Sequence, residues 1–140
     1  MRANEQVLTN ARLVLDNDIV RGSLVIQAGR IKAIDQGATA LPNAIDCEGD
    51  LLIPGLIELH TDNMEKYFQP RPKVSWPSRS AALAHDAQMA ASGITTVFDA
   101  VSIGDVDDQS MRQEALYQMV EALADINRSG MARVDHRLHL

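Results

Sequence analysis

The sequence predicts an α/β protein in two parts, and three observations support this prediction. Residues 5–53 form short apolar runs separated by turn residues, a pattern typical of a small antiparallel sheet. Residues 51–59 are almost continuously apolar, as in a strand covered on both faces. Helical and β-branched stretches then alternate, which favours a parallel sheet with right-handed crossovers. The two predicted parts are residues 1–55 and 56–140.

The first part is predicted to contain strands joined by tight turns. One strand runs from Val7 to Leu15 and is followed by a polar turn over residues 16–18. Residues 23–35 indicate a hairpin with its turn at Gly29, because glycine readily adopts the positive φ that such turns require. We therefore expect a small antiparallel sheet, the half of a β-sandwich.

The second part begins with a proline-rich segment and a helix. Residues 63–78 are predicted to be a long loop. Ser80 is predicted to cap the helix that follows, and Gly93 is predicted to end it. The residues expected to share one face of this helix are Leu83, Ala87 and Ala90.

A second β-α-β unit follows. Residues 94–101 are rich in β-branched residues and predict a buried strand. The next helix is predicted to start at Ser110, with Gln113 placed for a capping box, and to end at Gly130. Residues 134–140 predict a further strand. The apolar stripe expected on this second helix comprises Leu116, Met119, Val120, Leu123 and Ile126.

Composition argues against several classes of protein. The 140-residue chain has no apolar run of about 18 residues, which predicts no membrane span. Its formal charge of −6 argues against a nucleic-acid-binding surface. Cys47 is the single cysteine, so no internal disulfide can form, and the first residues lack a secretory pattern. We therefore expect a cytoplasmic protein that binds neither membranes nor nucleic acids.

A candidate metal site lies at the end of the apolar strand. In an ideal strand, Glu58, His60 and Asp62 point to the same face. A histidine and a carboxylate two residues apart can bind one divalent cation, such as Zn²⁺ or Mn²⁺. On spacing alone, a polar strand end without a metal is the more favoured interpretation.

The surrounding residues resemble a known family. The motif DCEG at 46–49 and the motif LIPGLIELH at 52–60 resemble the opening of the amidohydrolase superfamily. Most members carry a second histidine where this chain has Asp62. HTDN at 60–63 and FQPRPKVSWP at 68–77 narrow the resemblance to the hydrolase family of the phosphonate carbon–phosphorus lyase pathway. Residues 85–105 and 136–140 also resemble that family, so the likeness covers essentially the whole chain.

The resemblance implies a fold, a reaction and a cofactor. The fold would be the first three strands of a (β/α)₈ barrel, which needs roughly 250 residues in full. The reaction would be hydrolysis of α-D-ribose 1-methylphosphonate 5-triphosphate to the 5-phosphate and pyrophosphate. His60 and Asp62 would bind a divalent metal, with zinc as the first choice and manganese or iron as alternatives. The remaining ligands would lie beyond Leu140, so activity is expected only of a longer chain.

Further roles are predicted for other residues from their positions on the predicted strands, helices and loop. Asp99 could support a metal ligand or cap the next turn, and Glu58 is a second candidate for support of the metal site. His85 is expected at the surface or between helices, and His136 is expected to pack against helices. The residues expected to contact the phosphorylated substrate are Asn63, Lys66, Arg71, Lys73, Arg137 and His139. For the basic loop residues among them, ordinary loop solubility is an equally open interpretation.

Two other functions remain open. The chain could belong to a cyclic-amide hydrolase of the dihydroorotase or hydantoinase kind, although Asp62 and the basic loop argue against this. It could also be an inactive module that associates with itself. Three strands leave an exposed sheet edge, which favours a homo-oligomer or strand exchange.

Overall fold

The structure is a computed structural model that describes residues 5–101 and 109–139, with the backbone alone for 109–113. The chain divides into two compact units, Met1–Pro54 and Gly55–Leu140. Each unit has its own sheet, and the two are described separately below.

The first unit is a five-stranded sheet. Its strands are β1 (Glu5–Val14), β2 (Ile19–Gln27), β3 (Arg30–Gln36), β4 (Ile45–Asp46) and β5 (Leu51–Leu52). The order is β3-β2-β1-β4, and β5 also pairs with β1. The predicted antiparallel pairing is correct for β1, β2 and β3 but wrong for β4 and β5, which run parallel to β1. The segment between β3 and β4 returns the chain along the sheet. The chain therefore enters β4 in the same direction as β1.

The predicted hairpin turn is confirmed. Ala28 and Gly29 connect β2 to β3 with φ angles of 51° and 73°. Two consecutive positive φ values are characteristic of the two-residue turn that matches strand twist. Ala11, Leu13 and Leu24 form the small core of this unit.

The second unit contains a parallel sheet, as the alternating pattern predicts, and three helices, one more than predicted. The strands β6 (Leu56–Thr61), β7 (Ile94–Ala100) and β8 (Asp135–His139) lie in the order β6-β7-β8. The helices are α1 (Asn63–Phe68), α2 (Ser78–Ala91) and α3 (Gln109–Arg128). Their main core comprises Met64, Phe68, Ala81, Ala82, Met119, Ala122, Leu123 and Ile126.

Three local predictions for this unit are wrong. The segment predicted as a loop at 63–78 contains the helix α1. Helix α2 begins at Ser78, not after a Ser80 cap, because Pro77 at its N-cap has a φ of −53° that suits the start of a helix. The face buried by α2 is not the predicted Leu83 face. It comprises Ala81, Ala82, His85, Asp86 and Met89.

The predicted capping box of the last helix lies outside the described side chains. Helix α3 starts at Gln109, one residue before the predicted start, and the side chains of Ser110 and Gln113 are not among those described. Its predicted apolar stripe is buried at Met119, Leu123 and Ile126. No helix among the described residues is long and apolar enough to cross a membrane.

Strand β6 is less buried than predicted. Leu56, Ile57 and Leu59 are 51%, 59% and 69% exposed. Helices α2 and α3 cover the face of the sheet that carries Val97 and Val134. The apolar run is typical of a strand that is buried on both faces, whereas within the described part of the chain the large apolar side chains of β6 remain more than half exposed.

Candidate active site

Polar side chains lie on the sheet face that the helices leave open. The strand register pairs Phe98 with Arg137 and Ala100 with His139, so these residues share a face. The imidazole ring of His60 lies edge-to-face against that of His139, with 5.0 Å between the ring centroids. The carboxyl ends of β6 and β8 thus bring two histidines together from strands that are not neighbours.

His139 is held by a backbone group. Its Nδ1 lies 3.2 Å from the carbonyl oxygen of Leu59, and its ring also contacts Phe98 edge-to-face. Leu59, Phe98, Leu138 and His139 line a concavity of about 350 Å³. This open face has room for a small molecule.

Asp62 lies just beyond β6, where the chain enters helix α1. Its carboxylate is 3.7 Å from the Lys66 ammonium, which also donates a 2.9 Å hydrogen bond to the Asn63 side-chain oxygen. Three residues predicted from one motif are therefore in contact. Among the described residues, however, no compact group of three metal-ligand atoms includes both His60 and Asp62.

The alternation predicted along β6 is interrupted. The register pairs Glu58 with Val97 and Thr61 with Asp99, so β6 has one extra residue in this interval. Such a bulge turns successive side chains away from strict alternation. Glu58 instead accepts a 3.1 Å hydrogen bond from the His60 backbone N–H, and the common face predicted for Glu58, His60 and Asp62 is not maintained.

The remaining basic residues are placed differently. Arg137 is on the open face, where its guanidinium binds the Asp135 carboxylate at 2.8 and 3.0 Å. Arg71 and Lys73 lie on the exposed segment between α1 and α2, and Lys73 has a φ of 63°. No contact among the described residues brings these two side chains to His60 or Asp62.

A buried polar cluster lies on the opposite, helix-covered face. The Asp99 carboxylate contacts two imidazoles, at 2.6 Å from His85 Nε2 and 2.7 Å from His136 Nδ1. Asp86 lies 3.4 Å from the other nitrogen of His136 and accepts hydrogen bonds from the backbone N–H groups of Arg133 and Val134. These bonds connect α2, β7 and β8, and Asp86 also accepts a 2.8 Å hydrogen bond from the exposed Arg133 guanidinium.

The charges in this cluster stabilise one another. Burial acts to raise the pKa of Asp99, but the hydrogen bonds from His136 and His85 outweigh it and lower that pKa. Burial likewise opposes a charge on His136, yet its hydrogen bond to Asp99 and the nearby carboxylate charges raise the pKa of this imidazole. Both pKa shifts therefore favour the charged forms, an ionised Asp99 beside a protonated His136.

Of the two places expected for His85, the surface is wrong, because the residue is 0% exposed. Its ring lies 5.8 Å from that of Tyr67 on α1, which agrees with a place between helices. His85 and Asp86 precede Met89 by four and three residues, a spacing that places all three on one helix face. If Ala82 and Met89 had been taken as the core positions of this helix, His85 and Asp86 would have been predicted to be buried. His136 lies on the helix-covered face, where it also takes part in the polar cluster.

The two interpretations of Asp99 differ in what the structure describes. The turn that Asp99 could cap follows β7 at residues 102–108, outside the described part of the chain. Within the described residues, the Asp99 carboxylate contacts the imidazoles of His85 and His136.

Ligand atoms of His85, Asp99 and His136 lie within 4.8 Å of one another, so this group could hold a metal ion. The Asp99 oxygens, however, already accept hydrogen bonds from both rings. A cation would have to replace those protons. Within the described residues, His85 Nδ1 is the one buried side-chain nitrogen or oxygen atom without a partner.

The stability of the protein should depend on pH through this cluster. The contribution of His136 is complete below the ordinary histidine pKa of about 6.5 and is lost as pH rises through its raised pKa. The contributions of Asp86 and Asp99 are lost as pH falls through their lowered pKa values. We expect the free energy of unfolding, measured with urea, to fall above about pH 6.5.

Two matched variants test whether His136 causes this pH dependence of stability. His136→Gln should flatten the decline above about pH 6.5, because it removes the titrating ring. His139→Gln should retain it, since His139 lies on the open face. An unchanged pH profile in His136→Gln would contradict the assignment.

Asp99 should be far more important for stability than an exposed aspartate on the next strand. We expect Asp99→Asn to lower the free energy of unfolding by about 3–5 kcal/mol, because it removes one partner of a buried ion pair. Asp135→Asn makes the same chemical change in a surface pair and should cost about 0–1 kcal/mol. Equal effects of the two variants in urea unfolding would show that the buried network contributes no more than a surface pair.

Comparison with known proteins places this geometry in context. No family model matches the chain. The chain is 54% identical over 134 residues to alpha-D-ribose 1-methylphosphonate 5-triphosphate diphosphatase of Escherichia coli. That alignment covers 96% of this chain and 35% of the relative, so the chain spans about a third of the length of the curated relative it matches.

Solved structures of hydrolases share the fold. A D-hydantoinase matches with a TM-score of 0.56 and 22% identity over 98% of this chain and 27% of its own. A mutant atrazine chlorohydrolase TrzN from Arthrobacter aurescens TC1, complexed with zinc and atraton, matches with a TM-score of 0.61 and 17% identity over 96% of this chain and 35% of its own. At these identities the likeness shows the fold alone. The chain therefore has a mixed α/β fold found in amidohydrolases, and over nearly its whole length its sequence is similar to that of a ribose 1-methylphosphonate triphosphate diphosphatase.

Proposed function

We propose that this chain is part of a metal-dependent hydrolase that converts α-D-ribose 1-methylphosphonate 5-triphosphate to the 5-phosphate and pyrophosphate. The observation that carries this proposal is the 54% identity to the E. coli diphosphatase over 96% of the chain. The three parallel strands would be the first strands of a (β/α)₈ barrel, whose active sites lie at the carboxyl ends of the strands. His60 and His139 lie at those ends in this chain.

The chemistry of the strand end suits a divalent metal. His60 offers an imidazole and Asp62 a carboxylate, and both types of donor bind Zn²⁺, with Mn²⁺ or Fe²⁺ as alternatives. The His60 ring makes no hydrogen bond to another side chain or to backbone within the described residues, so its nitrogens are available. When bound, such a metal activates water and polarises a phosphoryl oxygen.

Basic residues near this end would bind the triphosphate. Lys66 and Asn63 are already in contact beside Asp62, and a single Lys66 ammonium could pair with a phosphate oxygen as it now does with Asp62. Arg137 is on the open face, and its exposed pair with Asp135 is weak enough to be exchanged for a phosphate. Arg71 and Lys73 would have to approach the substrate from the exposed segment after α1.

Two acidic residues would support the site without touching the substrate. Glu58 accepts the backbone N–H of His60 and so restrains the residue that carries the ring. Asp99 fixes β7 against β8 through His136, which sets the position of the strand that carries His139.

The alternative substrate class is a cyclic amide. The D-hydantoinase likeness is at 22% identity and concerns the fold, so it does not indicate the substrate of this chain. A hydantoin is therefore included as a competing substrate in the experiment below.

Activity is proposed to require more residues than this chain contains, because the chain spans 35% of the diphosphatase that it resembles. A cytoplasmic location is also part of the proposal, in keeping with the free thiol of Cys47.

A hybrid enzyme tests the proposed reaction. The matching segment of the E. coli diphosphatase is replaced by this chain, and pyrophosphate release from the ribose triphosphate is measured beside hydrolysis of a hydantoin. We expect the hybrid to release pyrophosphate and the isolated 140-residue chain to release none. His60→Ala and Asp62→Asn should each lower the rate of the hybrid by about 100-fold or more, because each removes a metal ligand.

A surface variant controls for folding of the hybrid. Asp125→Asn on α3 changes an exposed ion pair with Arg79 on α2 and should leave pyrophosphate release near that of the unmodified hybrid. Hydrolysis of the hydantoin alone would favour the cyclic-amide function. A fully active His60→Ala hybrid would contradict the proposed metal site.

Self-association is proposed for the isolated chain. Leu56, Ile57 and Leu59 are more than half exposed on β6, and a second copy could cover them. Light scattering should therefore give a mass of at least twice the 15.3 kDa of one chain. Leu59→Lys should shift the distribution towards the monomer, and a homogeneous 15.3 kDa monomer of the unmodified chain would contradict this proposal.

A further inference from the structure

We propose that His139 is a ligand of the same divalent cation as His60, and not a substrate contact. The inference rests on the proposed function, because it takes the cation at His60 as given. It concerns a residue 79 positions further along the chain, on a strand that does not pair with β6.

The hydrogen bond of His139 determines which ring nitrogen is available. Its Nδ1 faces the carbonyl oxygen of Leu59 at 3.2 Å. A carbonyl oxygen can only accept, so Nδ1 must carry the proton. In the neutral ring, Nε2 then has a free lone pair. Histidines that bind metals commonly show this arrangement, in which one nitrogen donates to a carbonyl and the other binds the ion.

The position of the ring is compatible with a shared ion. Two imidazoles bound to one tetrahedral Zn²⁺ have ring centroids about 5 Å apart, given zinc–nitrogen bonds of about 2.0–2.1 Å. The centroids of His60 and His139 are 5.0 Å apart. An edge-to-face pair without an ion spans the same range. The contact of His139 Nδ1 with the Leu59 carbonyl oxygen, which directs Nε2 away from that carbonyl, is therefore the observation that favours a ligand.

The two buried histidines differ from His60 and His139 in the partners of their rings. His85 and His136 both direct a ring nitrogen at Asp99, at 2.6 and 2.7 Å. Within the described part of the chain, no carboxylate makes a hydrogen bond or ion pair with the ring of His60 or of His139. Asp62 could bind the same cation, because its exposed ion pair with Lys66 at 3.7 Å contributes little to stability and is easily replaced.

Nitrogen-15 spectra of the histidine rings test the protonation state. The chain has four histidines, so single variants assign every ring signal. In the metal-free protein at pH 8, neutral His139 should show the proton on Nδ1. A ring protonated on Nε2 would overturn the inference, since that nitrogen would then have no lone pair to offer.

Zinc titration of the same protein tests the ligand role. Added Zn²⁺ should shift the Nε2 signal of His139 together with a ring signal of His60, and His139→Gln should weaken zinc affinity by at least about tenfold. Asp135→Asn alters an exposed residue of the same strand and should leave the affinity unchanged. Thermal unfolding of each variant confirms that it is folded.

The possible outcomes separate this inference from the proposed function. If His60→Gln weakens zinc binding and His139→Gln does not, the inference fails while the metal site at His60 stands. If neither variant weakens binding, and the signals of His85 and His136 shift instead, zinc occupies the buried cluster. That result would contradict both.

Discussion

The Asp99 carboxylate, buried between two imidazoles, is the constraint on which the second unit depends. It reaches His85 on α2 and His136 on β8 from its own position on β7. Since all three side chains are buried, none can exchange its partner for water without a large loss of free energy. This contact favours the observed register of β8 against β7. In that register His139 lies opposite Ala100.

Side chains alternate between the two faces of a strand, so the residues of the buried cluster and the candidate binding residues lie on opposite faces of the sheet. On β8, His136 lies on the face covered by helices, and Arg137 and His139 lie on the open face. The same separation holds on β7, where Asp99 is buried and Phe98 borders the concavity beside His139. A substitution on one face should therefore affect mainly unfolding, and a substitution on the other mainly binding.

The sequence predicted elements better than it predicted the environment of single side chains. The parallel β-α-β order and the turn at Gly29 followed from local periodicity and backbone preference, which tertiary contacts did not override. The buried place of His85 was missed because it depends on Asp99, which lies 14 residues away on another element. The bulge in β6 was also missed, since a bulge depends on pairing with a neighbouring strand and not on composition.

We propose that a divalent metal binds on the open face at His60 and not in the buried cluster. An anomalous difference map, recorded at the zinc edge from crystals of the zinc-loaded protein, tests it most directly. We expect one peak about 2.0–2.1 Å from a ring nitrogen of His60. A peak among His85, Asp99 and His136 with none at His60 would contradict the claim.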